Sequence, residues 1–208
     1  MHSFLKKLRR QKFLFALIPV LIFLFCSAFY YKINHSFVSF TDNMFRSEIV
    51  KNTLNLHYTL QKPENLSISA DSVSLGSFLL EDLSESYEIL EHYAGEMEKI
   101  PRYWLSSQNR LTYDILKTYF STRQQEKPYL LYEEPLGASL GTQAQLPILL
   151  AEYHFASAKD VEDYLKLLAK LPAYYDSILQ FERAKSAAGL FMGKKKCRRY
   201  PGPVSVIS

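Results

Sequence analysis

Eighteen consecutive residues without a charge, FLFALIPVLIFLFCSAFY from Phe13 to Tyr30, set the first limit on what this 208-residue chain can become. At 1.5 Å per helical residue the run extends roughly 27 Å, against about 30 Å for the hydrocarbon layer of a bilayer. Five basic residues (Lys6, Lys7, Arg9, Arg10, Lys12) stand directly before it, and Lys32 alone follows closely. The positive-inside rule then puts the N-terminus in the cytoplasm and the chain after Tyr31 outside. Pro19 is compatible with a membrane helix, which absorbs one proline by local adjustment. Tyr30 and Tyr31 read as an interfacial aromatic pair. A cleaved signal peptide has a shorter apolar core and small residues ahead of the cut, for which Cys26-Ser27-Ala28 offers a passable site. A lipid-bearing Cys26 is opposed by Phe25 in the position before it. The expectation is an uncleaved signal anchor over residues 13–31, with a basic cytoplasmic segment over 1–12. The lipid bilayer is then the partner of Phe13 to Tyr30.

Charge is segregated along the chain. All 21 acidic residues lie between Asp42 and Glu182, whereas six basic residues lie up to Lys32 and five more from Lys194 to Arg199. Taking those six and five from the total of 25 basic residues leaves 14 against 21 acidic ones, a net of −7 for the middle of the chain. A nucleic-acid-binding domain carries its positive field on the folded part, so no nucleic acid is expected as a partner. The two cysteines, Cys26 and Cys197, fall in the apolar run and the basic tail, and form neither a CxxC motif nor a disulfide framework.

From Ser39 the pattern is helical. Thr41 and Asp42 are placed to cap a helix carrying Phe45, Ile49, Leu56 and Leu60, which Lys62-Pro63 stops. A second helix shows Leu79, Leu83, Tyr87 and Leu90 on one stripe and ends near Gly95. A third starts after Ser106 with Leu111, Ile115 and Tyr119 in phase. A fourth opens at Ser157 with a capping box completed by Asp160, and carries Val161, Leu165 and Leu168. Leu171-Pro172 is expected to break it, and a fifth runs from about Pro172 to Ala188, closed by Gly189.

Between the third and fourth, Pro128 to Phe155 holds prolines at 128, 135 and 147 and glycines at 137 and 141. Short extended pieces and turns are expected there. A Gly/Pro loop bearing Tyr132, Glu133, Glu134 and Gln143, with Tyr129 beside them, is the candidate substrate-binding surface. The plainer reading is a connecting segment whose apolar residues fill the core.

Chemistry-bearing motifs are absent: no HExxH, GxSxG, Walker loop or GxGxxG occurs. Glu88, His92 and Glu96 fall at i, i+4 and i+8 on one helical face and are able in principle to hold a metal, though such a row is usually a solvated acidic face. Glu152 and His154, two apart, diverge on a helix. Glu133-Glu134 before a proline reads as a turn rather than a general base. No catalytic residue, metal ligand or cofactor is assigned.

Five strings in order carry a resemblance: LHYTLQKPENLSI (Leu56 to Ile68), LTYDIL (Leu111 to Leu116), YEEPLG (Tyr132 to Gly137), GTQAQLPILLAEYHF (Gly141 to Phe155) and DVEDYLKLL (Asp160 to Leu168). Together they resemble the N-terminal third of the domain of unknown function 885 family, bacterial, mostly helical and often exported proteins. The similarity spans 39–192. It implies kinship with zinc metallopeptidases of the gluzincin type, whose zinc-activated water attacks a peptide bond. Zinc and a peptide substrate are implied for full-length relatives, but no position here matches the His-Glu motif, so no ligand is carried over. After Met192 the text changes to GKKKCRRYPGPVSVIS, and the expectation for 193–208 is a basic disordered tail from an out-of-frame reading. The alternative is a basic patch for anionic lipid. The reading is therefore an all-α chain: one N-terminal transmembrane helix, then an exported helical fragment with an irregular Gly/Pro-containing insert. Its expected function is the anchor and N-terminal part of a zinc-peptidase-like protein, inactive alone. The alternative is a non-catalytic membrane-tethered binding or scaffold module.

Overall fold

The structure, a computed structural model, describes residues 2–137 and 140–190, with side chains from Ile18 onward. The tail expected at 193–208 and Cys197 lie outside the described residues. The regular structure is helical, and no strand occurs among the described residues.

Helix α1 runs without interruption from His2 to Ile49, with Pro19 inside it. Its part from Ile18 on is long and apolar enough to cross a membrane. The expected helix start at Thr41-Asp42 is not there. No glycine or proline separates Pro19 from Pro63, and the Thr41 hydroxyl donates to the Val38 carbonyl at 2.9 Å, a back-bond within the helix rather than a cap. Leu56 and Leu60 belong instead to a separate short helix and its end.

The chain divides into two compact units. One is drawn from Met1–Met44 and His92–Phe120, the other from Phe45–Glu91 and the chain from Ser121 onward.

In the first unit, α1 buries Ile33 and Phe37. The Phe37 ring lies 6.1 Å from Tyr113, and Phe40 meets Tyr93 edge-on at 6.3 Å. Helix α3 (Leu80–Glu98) continues through Gly95, because buried Met97 holds the turn beyond it and outweighs the roughly 1 kcal/mol cost of an exposed helical glycine. A 3-10 turn over Arg102–Trp104 leads into α4 (Ser107–Glu126). The Ser106 hydroxyl caps α4 by accepting from the Asn109 amide at 3.2 Å. Asn34 of α1 binds this junction: its Oδ1 accepts from the Ser106 amide (2.7 Å) and from Asn109 Nδ2 (2.9 Å), and its Nδ2 donates to the Trp104 carbonyl (2.9 Å).

Helix α4 corrects the expected stripe. Leu111, Ile115 and Tyr119 are exposed, while Tyr113 and Phe120 are buried with Leu116 half-buried between them. The second row is offset from the first by one to two residues, about 100–200° around the helix, so the two rows occupy different faces. Both have helical spacing, and periodicity alone does not say which one is covered.

In the second unit, α2 (Thr53–Thr59) is capped by Asn52, whose side chain accepts from the Asn55 amide at 3.0 Å. The core joins Leu54, Leu75, Leu146, Tyr153 and Leu167, with Tyr164, Leu171 and Tyr174 packed against it. The expected irregular insert is helical in part, with a 3-10 stretch over Lys127–Tyr132 and α5 (Thr142–Ala151), which contains Pro147, while the described residues between them are turn and coil. Proline in α5 leaves only one carbonyl of the first turn without its amide, and burial of Leu146 holds the segment.

Helix α6 (Ala158–Ala187) opens with the expected capping box between Ser157 and Asp160. It does not break at Pro172. A helix-interior proline costs about 3 kcal/mol, whereas fully buried Leu167, Ile178 and Phe181 each contribute about 1.5–3 kcal/mol. The inward row reads Leu167, Leu171, Tyr174, Ile178, Phe181 and Lys185, alternating steps of four and three, with Leu171 and Tyr174 half-buried and the others buried. Val161, Leu165 and Leu168 lie off that row and are exposed. Gly189, at φ +76°, ends the helix as expected: the Leu190 amide reaches the Lys185 carbonyl (3.0 Å) and the Gly189 amide the Ser186 carbonyl (2.9 Å), a Schellman motif.

Candidate functional site

The expected binding loop is built around a tight closure. The Gly141 amide donates to the Gly137 carbonyl (2.9 Å) and the Thr142 amide to the Pro135 carbonyl (2.8 Å). A Cβ at Gly141 would lie 2.4 Å from the Gly137 oxygen and 2.6 Å from its nitrogen, so this position has to be glycine for steric reasons. Gln143 turns back to donate from Nε2 to the Gly137 carbonyl at 2.9 Å. Its amide is thus committed to the loop's own backbone.

Glu133 and Glu134 meet a residue that the sequence reading passed over. Lys185, only 6% exposed, donates to the Glu133 carbonyl (2.8 Å) and to Glu134 Oε1 (3.2 Å). Glu182 lies one turn before it, and burial pushes its carboxyl above the usual range against the pull of the Lys185 ammonium. The two Lys185 bonds clasp the loop to α6. Tyr132 is exposed and meets Tyr129 edge-on at 6.0 Å. Among the described residues no hydrogen bond or ring contact joins Tyr132 to Glu134 or Gln143. One signal for Lys185 was present in the sequence: it sits four residues after Phe181, on an otherwise apolar row.

A second cluster was not foreseen. His57 of α2 stacks on Tyr153 with ring centroids 3.8 Å apart and planes 9° from parallel. Tyr164 and Phe155 pack on Tyr153 at 5.2 and 5.4 Å. The Tyr58 hydroxyl donates to the Leu149 carbonyl at 2.6 Å. His57 Nε2 accepts from the His154 amide at 3.3 Å, which assigns the ring proton to Nδ1 and occupies the lone pair that a general base would use. Burial lowers the His57 pKa from 6.5, with Asp160 pulling the other way and His154 adding to the fall. Burial, with Asp160 and Asp163 nearby, pushes the Tyr153 hydroxyl up to about 12. These groups hold the 152–157 turn against α2.

The His57 shift has a pH signature. Its protonated form is favoured in the unfolded chain, so the stability is fully present above pH 6.5 and drains as pH falls below it toward the lowered folded value. Glu182 acts with the opposite sign, since the fold favours its protonated form. Urea midpoints across a pH series are expected to fall on acidification from pH 6.5, and His57→Phe should flatten that slope. An unchanged slope in the variant would assign the dependence elsewhere.

An open cleft of 460 Å³ lies between the segment leading into α3 and α6, lined by Ser72, Ser74, Ser77, Lys170, Tyr174 and Gln180 among others. The segment is anchored by several hydrogen bonds, including one from the Ser74 amide to the Thr53 hydroxyl at 2.9 Å. The Thr53 amide donates to the Ser74 carbonyl (2.8 Å), Asn52 Nδ2 to the Leu75 carbonyl (2.7 Å), and the Phe78 amide to the buried Ser177 hydroxyl (3.0 Å). Ser177 passes its own proton to the Tyr174 carbonyl at 2.7 Å, so it is a brace and not a nucleophile.

Of the row Glu88, His92 and Glu96, Glu96 is paired with Lys99, whose hydrogen bond lowers the carboxyl pKa. Among the described residues no three His, Cys, Asp or Glu side chains come close enough to hold a metal ion. Comparison with known protein families, with curated proteins and with solved structures finds no match.

Proposed function

We propose that this chain tethers an extracytoplasmic helical domain to the membrane, as the anchor and N-terminal part of a zinc-peptidase-like protein, and does no chemistry alone. The observation that carries the reading is the surface of α1. From Ile18 to Phe25 its side chains are apolar and exposed, up to 71% for Phe23 and 72% for Phe25. Eight residues later, on the same helix, Ile33 is buried. Apolar surface left uncovered over that length is stable in lipid and costly in water. The five basic residues before the run support a cytoplasmic N-terminus, and the net negative body suits the other side. The ordered strings from Leu56 to Leu168 supply the family. In that family the zinc and the peptide substrate belong to the full-length form.

Reporter fusions test the orientation. Alkaline phosphatase joined after Leu190 is expected to be active, and β-galactosidase at the same point inactive. The reverse pattern would overturn the topology. Tight uptake of one zinc by the purified chain, with chelator-sensitive peptide cleavage, would overturn the absence of chemistry.

The cleft beside Ser72–Leu79 favours a second reading, a tethered binding module that is not part of a peptidase. Cooperative unfolding as a monomer would speak for the module. Strong binding of hydrophobic dyes in the native state would speak for a part that lacks packing partners.

A further inference from the structure

The geometry points to a second membrane contact, in which the turn Ile100–Leu105 lays Tyr103 and Trp104 into the headgroup region of the leaflet that α1 leaves. This inference rests on the tethering reading. Phe29, Tyr30 and Tyr31 close the apolar run, so at 1.5 Å per residue they stand about 24–27 Å from Phe13, near the outer edge of a hydrocarbon layer about 30 Å thick. The Trp104 ring meets Phe29 edge-on at 5.3 Å, which places the indole at the same depth. Tyr103 meets Trp104 edge-on at 6.2 Å. At 84% exposure, Tyr103 is the most exposed large hydrophobic side chain among the described residues.

The turn is not a loose loop that happens to carry aromatics. Asn34, one turn beyond Tyr30, spends both ends of its amide on the turn and its exit, donating to the Tyr30 and Trp104 carbonyls and accepting from Ser106 and Asn109. Arg102 is fixed at the other side by a two-pronged pair with Asp114, at 2.7 and 2.5 Å. Leu105 is buried behind them. The bonds that order the turn also tie α1 to α4, but they leave the Tyr103 ring facing outward, and in water that exposed ring gains nothing. At a bilayer surface the arrangement is favourable, because tyrosine and tryptophan bury their ring bodies while keeping a polar atom in water. The partner is therefore lipid, continuous with the surface that receives the anchor.

Trp104 is the chain's single tryptophan, so its fluorescence reports this turn alone. The full chain is reconstituted into phosphatidylcholine–phosphatidylglycerol vesicles containing lipids brominated either near the glycerol end or near the terminal methyl. The expected result is emission reduced about two-fold by the shallow bromines and less by the deep ones, as a headgroup-level ring requires. A double variant, Tyr103→Trp with Trp104→Phe, moves the probe to the exposed ring and should show the same order. Emission untouched by either lipid and open to acrylamide, in protein that still floats with alkali-washed vesicles, overturns the inference alone. Protein that does not float overturns the tethering reading and the second contact with it.

Discussion

Replacing Phe181 by alanine is expected to cost the second unit about 3–5 kcal/mol, as deletion of a fully buried aromatic does. Phe181 has no exposed surface, and its ring packs edge-on against Phe78 at 6.0 Å, tying α6 to the segment that leads into α3. With a urea slope of about 2 kcal/mol per molar, the loss moves the unfolding midpoint down by roughly 2 M. The companion change is Leu165→Ala, on the same helix but 61% exposed. It is expected to stay within about 0.5 kcal/mol of the parent. The pair therefore tests which row of α6 is buried. Circular dichroism of the full chain in detergent measures both, and equal losses would mean that the helix packs on a different face.

The second large effect concerns the anchor. Leu24→Asp puts a carboxylate in the middle of the apolar stretch, where Leu24 is exposed and no basic side chain is close in sequence. On insertion scales leucine contributes about −0.5 kcal/mol and aspartate about +3, a difference that amounts to more than about 100-fold in membrane partitioning. The fraction of chain that survives an alkaline wash of membranes is the readout. Val38→Asp serves as control: Val38 is also exposed on α1, but lies past the run, and the change should leave anchoring intact. Equal retention of Leu24→Asp and the parent would sink the proposed span.

Where the structure departs from the sequence reading, the reasons share a form. Thr41-Asp42, Gly95 and Pro172 are real local signals for ends, yet α1, α3 and α6 run through all three. Each signal is worth about 1–3 kcal/mol, and a few buried side chains on either side outweigh it. Signals that nothing opposes hold, as at Ser157 with Asp160 and at Gly189. The candidate site follows the same logic. Glu133 and Glu134 were legible as polar residues in a turn, but their partner Lys185 is more than fifty positions away.

By itself the sequence determined the all-helical class, the apolar stretch that α1 carries, the start of α4 after Ser106 and both ends of α6. These depend on neighbours within a turn or two of the chain, where spacing, capping and charge act directly. Only the tertiary structure decided which of two helically spaced rows on α4 and α6 is buried. It alone showed that Lys185 clasps the loop expected to bind substrate, that His57 stacks on Tyr153, and that Trp104 rests on Phe29. Those outcomes depend on contacts between residues from about 50 to 100 positions apart, and the apolar surface such contacts cover is not encoded in any local window.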